Sequence, residues 1–475
     1  MECNFFTEKF TEAVDNLYKL WYIENNNLQS LLTNRRKTMS SYVIRKTPGD
    51  TVWFRHDRFG MFIHWGLYAM PARHEWIKTR EQISEEKYDL YFKYFNPDLY
   101  DPREWARQAK AAGMKYVVLT SKHHEGFCMW DSQYTDYKCT NTPAGRDLVK
   151  EYVDAFRAEG LRIGFYYSLI DWHHPEYPID KNHPRRNHPD AREMNKTRDM
   201  KKYAKYMRDQ VTELLTNYGK IDILWFDFSY PGEPGSDDPL KMGKGKDDWE
   251  AEELIATARA IQPDIIIDNR TQIEQDLWTP EQYQPKEWVK DKDGNLVTWE
   301  ACQTFSGSWG YYRDEQTWKS PEMLIQMLIN TVSIGGNLLM NVGPTSRGFI
   351  DYRAEAALKT YADWMKYNDR SIYGCTMAEP ELLALCPNGC KFTQSEDGKR
   401  LYIHLFEYPF QFLELPGFAG KVEYAQFLHD GSELLFQDKM EHFSEGKSQS
   451  DNLMVLRLPV VKPPMIVPVV ELFLK

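Results

Sequence analysis

The feature that most constrains this chain is an alternation. Short, continuously apolar runs are each followed by a longer stretch with helical punctuation, and reactive side chains stand where the apolar runs end. The clearest run is IDILWFDF over residues 221–228, which follows a break at Gly219 and carries Asp227 just before the loop residues Ser229-Tyr230-Pro231-Gly232. Runs of this length without polar alternation read as strands buried on both faces. Residues 60–66 form a similar run that reaches His64, and residues 115–120 lead into His123-His124-Glu125-Gly126. Residues 161–168 carry Tyr166, and residues 264–268 end beside Arg270. Between them, residues 101–113 have Pro102 in the first turn and Gly113 at the stop, and residues 147–160 close on Gly160, both marks of helices. Further helices are expected over 194–218, 249–261 and 351–367, and a further strand over 337–342.

This alternation implies a parallel sheet covered by helices. Length and repeat number favour a closed (β/α)8-type TIM barrel over an open doubly wound sheet. No GxGxxG or GxxxxGK[ST] phosphate loop follows the first strand, which also weakens the dinucleotide alternative. Barrel enzymes place their working groups at the C-terminal ends of the strands, and His64, His123, His124, Tyr166, Asp227 and Arg270 all fall there. After residue 370 the pattern becomes short β-rich runs at 399–405, 422–428 and 452–458, separated by Gly, Asp and Pro. That is the signature of an antiparallel domain of β-sandwich type. The expected division is an N-terminal extension over 1–45, a catalytic barrel over 46–370 and a C-terminal β-sandwich over 371–475. Residues 1–38 end in Arg35-Arg36-Lys37 and precede Met39, a candidate native start.

Composition removes several function classes. A net charge of −11 with both signs interspersed argues against a nucleic-acid or membrane-surface partner. No apolar run approaches the ~20 residues that span a bilayer. The seven cysteines have irregular spacing, and no secretory signal is evident, so a reduced, cytoplasmic setting is expected. The polar loops 231–248 and 283–298 suit either the leaving-group side of a site or a contact between copies, which keeps a homo-oligomer open.

Two chemistries compete for the strand ends. His64, His123, His124 and Asp227 include good metal ligands, but the usual i,i+4 or His-x-His spacing is missing. Adjacent histidines on one strand also point to opposite faces. No metal and no cofactor is expected. A carbohydrate site fits better, because sugars need many oriented hydrogen bonds and flat apolar faces. The chain has 15 Trp and 29 Tyr, and Trp65, Trp76, Trp225 and Trp309 lie beside the polar strand ends. For any single one of these, core packing is the safer reading. Breaking a glycosidic bond takes two carboxyl groups. Asp227 is the first; Glu281, Glu300 and Glu75 are candidates for the second, and spacing does not choose among them.

The runs FGMFIHWGLYAMP, LTSKHHEGFCMWDS, GRDLVKEYVDAFRAEGLRIGFYYSLIDW, ILWFD, WEACQTFSGSWGY and NLLMNVGPTSRGFID resemble, in order, the α-L-fucosidases of glycoside hydrolase family 29. The resemblance covers about residues 50 to 375. It implies a β/α barrel followed by a β-sandwich, and a retaining, exo-acting hydrolysis of terminal α-L-fucose from fucosylated glycans or small fucosides, with transfucosylation as a side path. By the same resemblance Asp227 is the nucleophile and Glu281 the acid/base, with Glu300 as the alternative. His64, Glu75, Trp76, His123, His124, Tyr166, Trp225, Arg270 and Trp309 then line the fucose pocket. The competing readings are a fucose-binding protein without turnover and a barrel glycosidase for another sugar. Two departures stand out: Phe228 follows the nucleophile where many relatives have Gly or Ala, and HHEG replaces HHDG.

Overall fold

The structure, a computed structural model, describes residues 41–438 and 452–475; Met39 and nearly all of the N-terminal extension lie outside them. Seven parallel strands form one curled sheet: β1 Phe59–Ile63, β2 Tyr116–Lys122, β3 Arg162–Ser168, β4 Ile223–Asp227, β5 Ile266–Ile267, β6 Glu300–Thr304 and β7 Asn337–Val342. Their order is β5-β4-β3-β2-β1-β7-β6, all pairs parallel. The apolar runs are continuous because both faces are buried. Along β1, Phe62 joins an inner cluster with Tyr166, Trp225 and Leu339, while Met61 and Ile63 join the larger core beneath the helices.

Most helices of that outer layer begin where an acidic or hydroxyl side chain caps free backbone N–H groups. α1 Pro102–Ala111 is capped by Asp101, α2 Leu148–Ala158 by Asp147 and α3 Met200–Asn217 by Asp199. α4 Ala251–Ile261 follows β4 and has no side-chain cap, α5 Pro321–Val332 is capped by Ser320, and α6 Tyr352–Asn368 by Asp351. The single helix expected over 194–218 is instead a short turn at Ala191–Asn195 followed by α3, because the Asp199 carboxylate accepts from Lys201 N–H and restarts the helix. The strand expected over 264–268 contracts to the two residues of β5.

The two edges of the curled sheet, β5 and β6, both reach the segment 277–281. Leu277 N–H donates to Ile267 O at 3.2 Å, Trp278 N–H to Thr298 O at 3.0 Å, and Cys302 N–H to Pro280 O at 3.0 Å. Parallel bridges join Asp268 to Leu277, Trp278 to Trp299 and Glu281 to Cys302. This irregular stretch carries Glu281 to the same end of the sheet as Asp227.

Beyond α6, a five-stranded antiparallel sheet has the order β12-β15-β10-β9-β8, and a three-stranded one the order β11-β14-β13. The strands are β8 Cys375–Thr376, β9 Cys390–Ser395, β10 Arg400–Leu405, β11 Phe412–Pro416, β12 Val422–Phe427, β13 Phe436–Gln437, β14 Leu453–Arg457 and β15 Val469–Leu474. Ile403 and Leu472 of the first sheet share one core cluster with Leu415 and Met454 of the second. Among the described residues, no helix is long and apolar enough to cross a membrane.

Candidate active site

Asp227 is the last residue of β4, at the C-terminal end of the sheet, with its side chain 12 % exposed. Two groups hold its carboxylate by hydrogen bonds, and a third stands close by. The Tyr166 hydroxyl, from the neighbouring strand β3, donates to Oδ2 at 2.8 Å, and Arg270 Nη1 donates to Oδ1 at 2.9 Å. His124 Nε2 stands 3.8 Å from Oδ2. The same guanidinium donates through Nη2 to Glu281 Oε2 at 2.7 Å, and its Nε donates to Thr279 Oγ1 at 2.9 Å. One planar fork therefore spans the two carboxylates, a geometry that arginine, with five donors in fixed directions, provides and lysine does not. Trp225 lies under the fork, 4.4 Å from the guanidinium carbon to the ring centre. Burial pushes the Asp227 carboxyl above the ordinary aspartate range; Arg270 opposes that rise and Glu281 adds to it.

The wall opposite is built from the ends of β1, β2 and β7. His64 Nδ1 lies 2.7 Å from Asn341 Oδ1, while Asn341 Nδ2 donates to Trp309 O at 2.6 Å. Since the amide nitrogen is committed to a carbonyl, Oδ1 is the acceptor, so His64 donates from Nδ1 and keeps Nε2 as an acceptor. Burial and the neighbouring His123 bring the His64 imidazole down to about 3, so it is neutral in the working range. Glu75 is the reverse case. Burial alone pushes it up, but His74 and the Gly310 N–H, which donates at 2.9 Å, bring it down to about 2. The loop carrying Trp309 packs against Gly343, where a Cβ would come within 2.7–2.8 Å of the backbone of residues 309–311. Only glycine lets these two chains meet.

β2 ends at Lys122, so His123 and His124 follow the strand and are free of its alternation; their ring centres are 4.0 Å apart. His123 stands 3.4 Å from the Glu125 carboxylate, and His124 Nδ1 lies 2.7 Å from Ser168 Oγ. Burial holds His124 well below the usual histidine range.

His64, Glu75, Trp76, His123, Tyr166, Trp225, Asp227, Arg270, Glu281 and Trp309 line one small pocket, joined by Phe62 and Phe228. His124 stands just behind it, its ring 4.8 Å from that of Trp76. Phe62 was hidden as an ordinary strand residue, although the period of two from His64 places it on the same face. Glu300 is elsewhere. It is the first residue of β6, fully buried, and accepts from Tyr116 at the start of β2 at 2.5 Å. Burial raises its carboxyl to about 8. Trp65 also turns away from the pocket, into the core against Tyr100 and Trp105. A second, wider and more open cavity adjoins the pocket, sharing Phe228, Arg270 and Glu281 and continuing past Trp278 and Tyr283.

Paired carboxyl groups on a short spacer, in a small pocket walled by aromatic rings and imidazoles at the C-terminal end of a parallel sheet, define a glycoside hydrolase. Residues 26–370 match the family model described as Alpha-L-fucosidase. The chain is 31% identical to the human plasma α-L-fucosidase over 360 residues, 71% of each chain. Among solved structures it resembles α-L-fucosidase isoenzyme 1 from Paenibacillus thiaminolyticus, with a TM-score of 0.82, 43% identity, and 90% of this chain and 98% of that one covered. It also resembles a family 29 α-L-fucosidase from Bacteroides thetaiotaomicron solved as a trapped covalent intermediate with 2-fluoro-fucosyl fluoride. There the TM-score is 0.73 and the identity 26%, covering 92% of this chain and 99% of that one. The chain belongs to the α-L-fucosidases of glycoside hydrolase family 29.

Proposed function

We propose that this enzyme is an exo-acting, retaining α-L-fucosidase in which Asp227 is the nucleophile and Glu281 the acid/base. The observation that carries the assignment is the Arg270 fork, which holds Asp227 and Glu281 on its two terminal nitrogens. A guanidinium-sized spacer suits the ~5–5.5 Å carboxyl separation of retaining enzymes better than the wider gap that inverting enzymes need for a water. In the first step Asp227 attacks the anomeric carbon while the proton of Glu281 goes to the departing oxygen. In the second, Glu281 takes a proton from water, which displaces the fucosyl group from Asp227. The covalent intermediate trapped in the Bacteroides relative supports the same course here. His64 Nε2, the Glu75 carboxylate and the rings of Trp76 and Trp309 are read as contacts to fucose hydroxyls and to its apolar face. His123, Tyr166 and Trp225 complete that surface, and His124 supports it from behind. The substrates are terminal fucosides of oligosaccharides or small glycosides, and an acceptor sugar can replace water in transfucosylation.

The test is turnover of an aryl α-L-fucoside by wild type, Asp227→Ala and Glu281→Ala, with and without azide. Loss of turnover in Asp227→Ala with β-fucosyl azide as its rescued product, and α-fucosyl azide from Glu281→Ala, is the expected result. Near-normal turnover of Glu281→Ala on a poor leaving group would sink the acid/base assignment.

The finer architecture follows the same reading. The backbone bonds from segment 277–281 to both sheet edges support a closed (β/α)8 barrel with that segment as its eighth strand. The core shared by the two antiparallel sheets supports a β-sandwich over 371–475. The free cysteines among the described residues fit a reduced, cytoplasmic setting.

A further inference from the structure

Phe228 has an unusual backbone for its side chain. Its φ of 146° lies where glycine goes freely and a bulky residue does not. Such strain persists only where the surroundings hold it. Here three rings do, with centres 5.3 Å (Trp76), 5.6 Å (His124) and 5.5 Å (Tyr230) from that of Phe228. Phe228 directly follows Asp227 and borders both the small pocket and the wide cavity beside it. Glycine would give the same backbone without strain, so what the strain maintains is the ring.

The position of the ring says what it meets. A leaving group attached to the anomeric oxygen, protonated from Glu281, must pass into the cavity that shares Glu281 and Arg270 with the pocket. Phe228 is the apolar surface at that threshold, with Trp278 and Tyr283 further out. Asn269 and Gln272 bring amide groups to the same cavity, which suits a ring that carries hydroxyls around its rim.

We propose that Phe228 is a specificity-determining residue that selects fucosides whose leaving group presents a flat ring face next to the scissile oxygen, a hexopyranose in particular. This rests on the fucosidase reading above and names the leaving-group class for that site.

The test compares kcat/KM, measured by fucose release, for methyl α-L-fucoside and for a fucosyl-hexose disaccharide. Both have alkoxide leaving groups that need the same proton, and only the disaccharide carries a ring to stack. Phe228→Gly suits the observed φ; Phe228→Leu keeps most of the volume and guards against a failure of Phe228→Gly to fold. The disaccharide-to-methyl ratio should fall about fivefold or more in both, the scale of one aromatic contact, and return in Phe228→Tyr. A phenyl fucoside shows whether any flat ring suffices: an equal fall there assigns the selection to the ring face alone, and a smaller one to the hexopyranose. A ratio that stays the same because both substrates change together, or one that rises, would overturn the proposal and leave Phe228 as packing for Asp227. Failure of the wild type to release fucose from any of the three would instead overturn the fucosidase reading itself.

Discussion

Replacing Arg270 with methionine removes a cation that touches both carboxylates, and its effect on the pH profile can be worked out. Nη1 lies 2.9 Å from Asp227 Oδ1, with the two side chains 16 % and 12 % exposed. Unit charges ~4 Å apart at an effective dielectric of ~20 interact by ~4 kcal/mol. An arginine beside an aspartate lowers the carboxyl by about 1–3 pKa units, and at ~1.4 kcal/mol per unit the two scales agree. The sign follows from which form reacts. In the proposed mechanism Asp227 attacks as the carboxylate; burial already holds its pKa high, and Arg270 is what pulls it back. Without that charge the carboxyl titrates higher still, so the acidic limb of kcat/KM moves up by about 1–3 pH units. The assay is aryl fucoside hydrolysis across the pH range by wild type, Arg270→Met and Arg270→Lys. The lysine variant keeps the charge and loses the fork, so its limb stays near the wild-type position while its plateau falls. A uniform loss in Arg270→Met at every pH, with the limb unmoved, would refute the electrostatic argument and leave Arg270 a purely geometric role.

Two further outcomes are expected. Glu300, raised by burial to about 8, keeps its proton in the folded chain after the unfolded chain has lost it, so folding stability falls as pH rises from the ordinary glutamate value of 4.5 towards about 8. Glu300→Gln should flatten that fall, read from urea midpoints at the two ends of the window, and keep its activity on an aryl fucoside; an equally steep fall would show that Glu300 is not its source. Asn341 holds both His64 and the Trp309 carbonyl, and at ~1 kcal/mol for each bond, ~2 kcal/mol together, Asn341→Ala should weaken inhibition by free fucose by up to about thirtyfold. An unchanged inhibition constant would mean that both walls are held by other contacts.

Much of the site was legible because β/α repetition ties function to strand ends. The apolar runs of β1, β3 and β4 could be bounded from sequence, so His64, Tyr166 and Asp227 could be placed at one end of the sheet. The doubt over His123 and His124 turned on where β2 stops, and the structure ends it at Lys122, one residue before the pair. What sequence patterns could not supply was the stretch from 264 to 304. β5 keeps two residues, segment 277–281 contains Pro280, and β6 reads Glu-Ala-Cys-Gln-Thr, with no apolar run to mark it. Its first residue, Glu300, takes one hydrogen bond inside the sheet from the Tyr116 hydroxyl, a pairing 184 residues apart in the chain that no local pattern announces.

That gap is also why two glutamates looked alike. Both Glu281 and Glu300 sit close after a tryptophan in a polar setting, and only register distinguishes them. Glu300 opens β6 opposite Asn337, the first residue of β7. Glu281 bridges Cys302, two residues further along the same strand, which at ~3.3 Å per residue moves it towards the C-terminal end by more than the length of a carboxyl group. In a parallel sheet that direction is the one that matters, because every strand delivers its working residue at the same end. Glu300 therefore faces Tyr116 near the start of the strands, and Glu281 meets Arg270 where Asp227 already stands.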